Sequence, residues 1–260
     1  MRPGRRGSGR LRGVDLAQHD TSGRRTNRGI RENGHVTDTL ELTRPQLVLF
    51  DLDGTLTDSA AGIVSSFRHA LAHVGADVPD GDLAGRIVGP PMHETLQALS
   101  LGATSFDADA AIAAYRADYT SRGWAMNSLF DGVEAVLADL RAAGVRLAVA
   151  TSKAEPTARR ILEHFGLDGY FEVIAGASPD GVRAAKADVV AYALAQLQPL
   201  PERVLMVGDR MHDVEGAAQH GIDTVVVGWG YGAADFTGPT AVAAHAHVDS
   251  VTALREVLGV

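Results

Sequence analysis

The sequence predicts an α/β protein with a mostly parallel sheet and an inserted, all-helical domain. Short apolar runs, typical of buried parallel strands, alternate along the chain with helical patterns. One interval, residues 60–128, contains helical patterns and no convincing strand. Because 45% of the 260 residues are hydrophobic, the chain can bury a sizeable core. We therefore expect a doubly wound core that is interrupted once by helices.

The predicted elements follow one another in a regular order. Continuous apolar runs predict five strands, which are Gln46–Phe50, Val145–Ala150, Phe171–Ile174, Arg203–Val207 and Thr224–Val227. Helical patterns between the later strands predict Gly132–Ala143, Pro156–Phe165, Ala185–Gln196 and Val214–His220. The inserted interval predicts helices at Ala61–Val74, Asp82–Val88, Pro91–Ser100 and Ala108–Arg122. The core domain is thus expected to comprise residues 45–59 and 129–260, and the inserted domain residues 60–128.

The first 44 residues differ from the rest in composition. They contain ten arginines and five acidic residues, whereas the whole chain carries a net charge of −8. Few of them are apolar, so we expect a disordered basic arm. Two interpretations of this arm stay open, an arm that binds a protein partner and a solvated leader. The body of the chain is strongly acidic, which argues against nucleic acid as a partner.

Three features that the sequence lacks indicate where in the cell the protein is expected. The sequence has no cysteine, which excludes disulfides, thiol nucleophiles and cysteine-ligated zinc and suits a reducing compartment. No stretch approaches the roughly 20 apolar residues of a membrane span. The first residues carry arginine but no apolar segment of the kind found in secretory signals. We therefore expect a cytoplasmic protein that does not act on membranes.

The densest chemical signal is DLDGTLT, which begins at Asp51 directly after the first predicted strand. Ligands of open α/β sheets bind at the carboxyl ends of the strands. In extended backbone, residues i and i+2 point the same way, so Asp51 and Asp53 can face one site, and Gly54 permits the sharp turn that follows. Two close carboxylates repel each other unless they share a proton or a cation lies between them. Mg²⁺ held by carboxylates and a substrate phosphate fits this requirement.

Further polar residues follow other predicted strands. Thr151 and Ser152 come after the second strand, where a hydroxyl and backbone amides at a helix start can bind phosphate. Lys186 opens a helix and could neutralise a phosphoryl charge. Asp209 and Asp213 follow the fourth strand, one helical turn apart, and are predicted to meet the metal. Together these segments provide the parts that phosphoryl transfer requires.

These segments resemble the motifs of a known family. DLDGT, TS, Lys186 and GDRMHD are similar, in this order, to the four motifs of the haloacid dehalogenase-like (HAD) superfamily. The insert resembles the helical cap of its phosphoglycolate-phosphatase-like branch. The resemblance implies a Rossmann-like core that hydrolyses a small phosphomonoester. The resemblance implies that Asp51 is the nucleophile and that Asp53 is the general acid and base. It implies that the phosphate ligands are Gly54, Thr151, Ser152 and Lys186. It also implies that Mg²⁺ is bound by Asp51, the carbonyl of Asp53 and Asp209, with Asp213 in support.

A narrower resemblance leaves a second activity open. The runs PQLVLFDLDGTLTDSAAGIVSSFRHAL, IVGPPMHETL, ATSKAEPTARRIL and VGDRMHDVEGAA are similar to mycobacterial HAD-fold proteins described as protein tyrosine kinases. That resemblance implies ATP as the phosphoryl donor and a protein tyrosine as the acceptor. The residues themselves contain neither a GxxxxGK[ST] loop nor the protein-kinase signature set. Hydrolysis therefore remains the first interpretation.

Four more residues are candidates by context. In the insert, Arg86, Pro91 and His93 lie around a Gly-Pro-Pro turn that enters a helix, and we expect this region to contact the substrate. Tyr231 lies in the turn after the last predicted strand. We expect Tyr231 to be exposed and treat it as a candidate phosphorylation site.

Overall fold

A computed structural model describes residues 44–102, 105–239 and 241–260. The predicted basic arm lies outside the described residues, apart from Arg44. Six parallel strands form one sheet in the order β5-β4-β1-β6-β7-β8. They are β1 (Leu47–Phe50), β4 (Arg146–Ala154), β5 (Val173–Ala177), β6 (Val204–Gly208), β7 (Asp223–Val227) and β8 (Ala246–Val248). The predicted α/β fold with a mostly parallel sheet is confirmed.

Strand β1 lies at the centre of the sheet and is buried on both faces. Its register pairs Phe50 with Val149 of β4 on one side and with Val207 of β6 on the other. Val48 and Phe50 belong to one hydrophobic cluster, and Leu47 and Leu49 to another. This alternation follows from the two-residue repeat of a strand, and it explains why the run is apolar throughout.

Helices cover both faces of the sheet. On the Phe50 face lie α5 (Val133–Ala142), α6 (Glu155–His164) and α9 (Val251–Leu258). On the Leu49 face lie α7 (Lys186–Gln196) and α8 (Met211–Ala218). Buried aliphatic side chains hold both layers against the sheet, so the carboxyl ends of the strands lie at a rigid edge.

A helical insert, residues 60–127, separates β1 from β4. It contains α1 (Ala60–His73), α2 (Leu83–Ile87), α3 (Met92–Ser100) and α4 (Ala108–Ser121). These helices share a hydrophobic cluster of their own, built around Phe67 and Leu96. The chain enters and leaves the insert through a short antiparallel ribbon of β2 (Thr57–Asp58) and β3 (Ser128–Leu129).

The structure departs from the predicted elements at several points. Strand β4 continues to Ala154, past a register shift after Ala150, so Thr151 and Ser152 lie in extended backbone and not at a helix start. Strand β3 begins at Ser128, inside the interval where we expected no strand. Strand β8 and helix α9 were not predicted. Strand β8 has three residues, which leaves little periodicity to detect, whereas Val251, Leu254 and Leu258 recur at helical spacing and could have predicted α9.

None of the helices that the structure describes has the length and apolar composition of a membrane span.

Candidate active site

Three neighbouring strands bring the predicted site residues to one edge of the sheet. Strands β4, β1 and β6 are adjacent and parallel, so their carboxyl ends meet. Asp51 follows β1, Thr151 lies in the extension of β4, and Asp209 follows β6. All three side chains are buried. The edge is therefore an enclosed polar site in which electrostatic interactions are stronger than at an exposed surface.

Lys186 is the cation at the centre of this site. Its Nζ lies 2.7 Å from Asp51 Oδ1 and 2.6 Å from Asp213 Oδ1, and it donates to the carbonyl of Ala150 at 3.0 Å. Burial works against the ammonium charge, but Asp213 and Asp51 outweigh it and raise the pKa of Lys186. Lys186 therefore stays protonated and holds both carboxylates in place.

Three carboxylates converge beside Lys186. One oxygen from each of Asp51, Asp209 and Asp213 lies within 4.8 Å of the others. Burial raises the pKa of Asp51, with Lys186 opposing this and Asp213 adding to it. Burial, and then the charges of Asp213 and Asp51, also raise the pKa of Asp209. The single positive charge of Lys186 does not neutralise three buried carboxylates. The cluster is therefore more stable when a carboxylate is protonated or when a further cation is bound.

The surroundings of Asp209 leave one of its carboxylate oxygens without a partner among the described residues. Asp209 Oδ2 accepts a hydrogen bond from the Tyr231 amide at 2.7 Å, while Oδ1 is buried and has no partner among the described residues. Gly54 packs against this carboxylate with φ of +87°, and a Cβ at Gly54 would overlap it. The close approach is possible because Gly54 has no side chain. An orphaned, buried carboxylate oxygen is what a hard metal ion would satisfy.

Asp53 has a partner that sequence reasoning missed. Lys153 Nζ lies 2.6 Å from Asp53 Oδ2, and both side chains are buried. Asp53 Oδ1 has no partner among the described residues. Lys153 could have been found from the i, i+2 rule, because Thr151 and Lys153 share a face if β4 continues beyond Ala150. The side chain of Asp53 lies outside the three-carboxylate cluster, while its carbonyl remains the predicted metal ligand.

A cavity of about 630 Å³ opens between this edge and the helical insert. Asp53, Ser152 and Lys153 line its core side. On the insert side, Tyr115 and Tyr119 stack with ring centroids 5.5 Å apart and an interplanar angle of 8°. Lys153 Nζ lies 4.8 Å from the centroid of Tyr119. The cavity thus has a charged floor and an aromatic wall, which suits a ligand with an anionic end and an organic end.

Two of the three insert residues predicted to contact the substrate line this cavity, and the third does not. Pro91 and His93 line it. Arg86 does not line it, and its guanidinium instead donates to the carbonyl of Asp80 at 3.2 Å. The reason is local, because Arg86 lies in the last turn of α2 and its side chain folds back over that helix.

Tyr231 lies closer to the site than we expected. Its hydroxyl donates to Asp58 Oδ1 at 2.6 Å and accepts from the amide of Ala60 at 3.1 Å, and its amide binds Asp209. The expectation that Tyr231 is exposed is wrong, because these contacts leave it only partly accessible. Burial and Asp58 raise the pKa of the phenol. Its phosphorylation stays a prediction.

Known proteins share this chain's sequence over most of its length. The chain is 64% identical over 254 residues to the tyrosine-protein kinase PtkA of Mycobacterium tuberculosis, which covers 90% of this chain and 86% of that protein. The solved structure of that kinase has 71% identity and a TM-score of 0.74, and it covers 84% of this chain and 99% of its own.

Two further relatives carry phosphatase names. A 5'-nucleotidase of Pseudomonas aeruginosa is 39% identical over 188 residues, covering 72% of this chain and 85% of that protein. A phosphoglycolate phosphatase of Cupriavidus necator is 36% identical over 215 residues, covering 81% and 92% respectively.

The family match includes the strand ends described above. Haloacid dehalogenase-like hydrolases match residues 48–227, a range that contains Asp51, Thr151, Lys186 and Asp209. The predicted resemblance to this family, including its phosphoglycolate-phosphatase-like members, is confirmed. The chain belongs to the haloacid dehalogenase-like hydrolases.

Proposed function

We propose that this protein hydrolyses a small phosphomonoester through an aspartyl-phosphate on Asp51, with Mg²⁺ as its cofactor. The observation that carries the proposal is the convergence of Asp51, Asp53, Lys186 and Asp209 at one buried edge. The family match and the relatives named as phosphatases support the hydrolytic reaction. In this proposal the helical insert acts as a cap that excludes bulk water from the site.

The first half of the reaction transfers the phosphoryl group to the protein. An oxygen of Asp51 forms a bond to phosphorus as the bond between phosphorus and the leaving oxygen breaks. Asp53 donates a proton to that leaving oxygen from Oδ1, which has no other partner among the described residues. Lys153 holds Oδ2 and stabilises the carboxylate that remains. The products of this half are a free alcohol and phospho-Asp51.

The second half returns the protein to its starting state. The Asp53 carboxylate accepts a proton from water, whose oxygen then attacks phosphorus and releases Asp51 and inorganic phosphate. Thr151, Ser152, Lys186 and the turn at Gly54 hold the phosphoryl oxygens in this proposal. Lys186 Nζ contacts Asp51 before the reaction. In this proposal it also neutralises the negative charge of the phosphoryl group after transfer to Asp51.

The carboxylate cluster fits Mg²⁺ as the cation. Asp51, Asp209 and Asp213 offer oxygen atoms, which Mg²⁺ prefers, and Asp209 Oδ1 has no other partner among the described residues. When bound, Mg²⁺ would neutralise charge that develops on the phosphoryl group.

Mg²⁺ is expected to stabilise the protein more strongly as the pH rises. The raised pKa values of Asp51 and Asp209 mean that the metal-free folded state holds protons that the unfolded state has lost. Metal-free stability therefore falls as the pH rises from 3.8 through the raised pKa values. Because Mg²⁺ replaces these protons, saturating Mg²⁺ should raise Tm by roughly 5–10 °C at about pH 8 and by less at about pH 5.

Calorimetric melting with and without Mg²⁺ measures this difference. The matched control is Asp209→Asn, in which the Mg²⁺-dependent rise in Tm should largely disappear. An equal rise at both pH values, or an undiminished rise in Asp209→Asn, would contradict the assignment of Mg²⁺ to this cluster.

The aromatic wall is expected to favour substrates that carry a ring. The cavity of about 630 Å³ is much larger than a two-carbon acid requires, and Tyr115 presents a ring to it. Stacking of a base on an aromatic side chain contributes about 1–3 kcal/mol, so kcat/KM for a nucleoside 5'-monophosphate should exceed that for phosphoglycolate by about tenfold. Tyr115→Leu should remove this preference. Phosphate release from both substrates, measured side by side, gives the ratio, and an unchanged ratio in Tyr115→Leu would exclude the wall from recognition.

A second candidate function is transfer of phosphate from ATP to a protein tyrosine. It is favoured by the 64% identity to a tyrosine-protein kinase. The chemistry differs in the donor, which is ATP in place of a phosphomonoester, and in the acceptor, since phospho-Asp51 would react with a phenol in place of water. Incubation with Mg²⁺ and γ-labelled ATP, beside a panel of phosphomonoesters, separates the two. Free phosphate that depends on Asp51, with no label on tyrosine, supports hydrolysis; alkali-stable label on tyrosine that is lost in Asp51→Asn supports the kinase.

A further inference from the structure

Arg210 connects the metal cluster to the helical insert. It directly follows Asp209 in the loop after β6, and its side chain is 8% exposed. On the core side, its Nε donates to Asp235 Oδ2 at 2.7 Å. Asp235 Oδ2 also accepts a hydrogen bond from the Met211 amide at 3.1 Å. On the insert side, its Nη1 donates to the carbonyls of Gly85 and Val88. One guanidinium therefore ties the loop that carries Asp209 to the C-terminal end of α2.

The backbone of Arg210 belongs to the same network as the carboxylate cluster. The amides of Asp209 and Arg210 both donate to Asp213 Oδ2, at 3.1 and 3.0 Å. Asp213 is itself one of the three converging carboxylates and the partner of Lys186. Arg210 is thus adjacent in sequence to Asp209 and is hydrogen-bonded through its amide to Asp213, so a displacement of Arg210 would reach two of the carboxylates that would hold the cation.

The insert is shaped to receive this side chain. Gly89 follows α2 with φ of +104°, and a Cβ there would lie 2.8 Å from Arg210 Cγ. The carbonyls of Gly85 and Val88 belong to the end of α2, where the helix leaves acceptors unpaired and favours a positive charge. Gly89 also lines the cavity beside Pro91 and His93. The segment held by Arg210 is therefore the one that borders the substrate space.

We propose that Arg210 is a positioning residue that couples the seating of the helical insert on the core to the affinity of the carboxylate cluster for its cation. A planar guanidinium carries donors on separate nitrogens, so Nε can reach Asp235 while Nη1 reaches two carbonyls, whereas a lysine ammonium donates from a single nitrogen. Seating the insert fixes the guanidinium, and the guanidinium fixes the loop of Asp209 and Asp213. By reciprocity, a bound cation strengthens the seating of the insert. This inference rests on the proposed function for the identity of the cation.

The chain offers a variant on each side of the contact and a matched control. Arg210→Lys removes the guanidinium from the core side of the contact. Gly89→Ala adds a methyl group on the insert side that would press against Arg210, and it changes no residue in the loop of Asp209. The control is Arg160→Met, because Arg160 also reaches from the core to the insert. Its Nη1 donates to the Thr120 carbonyl at 2.9 Å, and its guanidinium lies 3.6 Å from the Trp124 ring centroid. Arg160 lies on α6 and has no contact with the cluster.

The test measures binding of Mg²⁺ alone by calorimetry, together with amide hydrogen exchange of residues 83–93, on the full chain. Arg210→Lys and Gly89→Ala should each weaken Mg²⁺ binding by about threefold or more and speed the exchange of this segment. Mg²⁺ should slow that exchange in the unaltered protein. In Arg160→Met, the Mg²⁺ dissociation constant should stay within about twofold of the unaltered value.

Several outcomes would overturn the coupling. The proposal fails if Gly89→Ala speeds exchange but leaves Mg²⁺ affinity unchanged, or if Arg160→Met weakens Mg²⁺ binding as much as Arg210→Lys. It also fails if the unaltered protein binds no Mg²⁺. If Gly89→Ala does not fold, Asp235→Asn replaces it and should weaken Mg²⁺ binding in the same direction. Absence of phosphatase activity with Mg²⁺ binding intact would refute the proposed function and leave the coupling standing.

Discussion

Replacement of Asp51 by asparagine is expected to reduce phosphate release by about 10⁴-fold or more, because the attacking oxygen is lost. The stability of the fold should not decrease. Burial disfavours the charge of Asp51, and Asp213 still pairs with Lys186 after the change. Asparagine has nearly the same shape as aspartate, so Tm in metal-free buffer should stay the same or rise.

Single-turnover phosphate release and calorimetric melting test both halves of this prediction. Asp188→Asn is a suitable control, since Asp188 is an acidic residue in the first turn of α7 and lies outside the carboxylate cluster. Its turnover should stay near that of the unaltered protein. An active Asp51→Asn protein would rule out Asp51 as the nucleophile, and a large fall in Tm would mean that Asp51 serves mainly to hold the fold.

Replacement of Lys186 by methionine is expected to damage both stability and turnover. The change leaves Asp51 and Asp213 as buried carboxylates without their shared cation. Breaking a buried ion pair from one side costs about 3–5 kcal/mol, which corresponds to a fall in Tm of roughly 10 °C for a chain of this size. Because Mg²⁺ supplies positive charge to the same carboxylates, it should restore part of the lost stability but not the lost turnover.

A double variant separates these two effects. Lys186→Met combined with Asp213→Asn removes one of the stranded charges, so it should melt at a higher temperature than Lys186→Met alone. It should remain inactive, since no ammonium is left to hold the phosphoryl group. Two results would contradict a stabilising role for the ion pairs of Lys186 with Asp51 and Asp213. One is a single variant as stable as the unaltered protein, and the other is a double variant less stable than the single one.

Much of the fold and of the candidate site could be predicted because both depend on local patterns. The apolar runs of β1, β4 and β6 are short but nearly continuous, and Asp51 and Asp209 each follow such a run directly. Once the strands are parallel, topology alone brings their carboxyl ends together. Lys186 lies at the start of a helix as expected, one residue after the predicted first residue Ala185. The site could therefore be assembled from segments that are distant in the sequence.

The residues that escaped prediction depend on long-range contacts. Arg210 meets the Gly85 carbonyl across 125 sequence positions, and no local pattern marks a carbonyl as its acceptor. Lys153 escaped because the sequence predicts that β4 ends at Ala150, whereas the strand continues past an irregularity. Tyr115 and Tyr119 look like ordinary core residues of α4 until the insert is placed over the strand ends. Such contacts are set by how elements pack and not by the segments themselves.

The most direct test of the proposed reaction is to look for the phosphoryl group on Asp51. The protein would be mixed with Mg²⁺ and the best substrate of the panel, quenched in acid within the first turnover, digested, and mapped by mass spectrometry. The proposed reaction predicts one phosphoryl group on the peptide that carries Asp51, removed by hydroxylamine and absent from Asp51→Asn. Release of phosphate without a modified Asp51 peptide, while a trapped phosphoryl group appears on another residue, would contradict it.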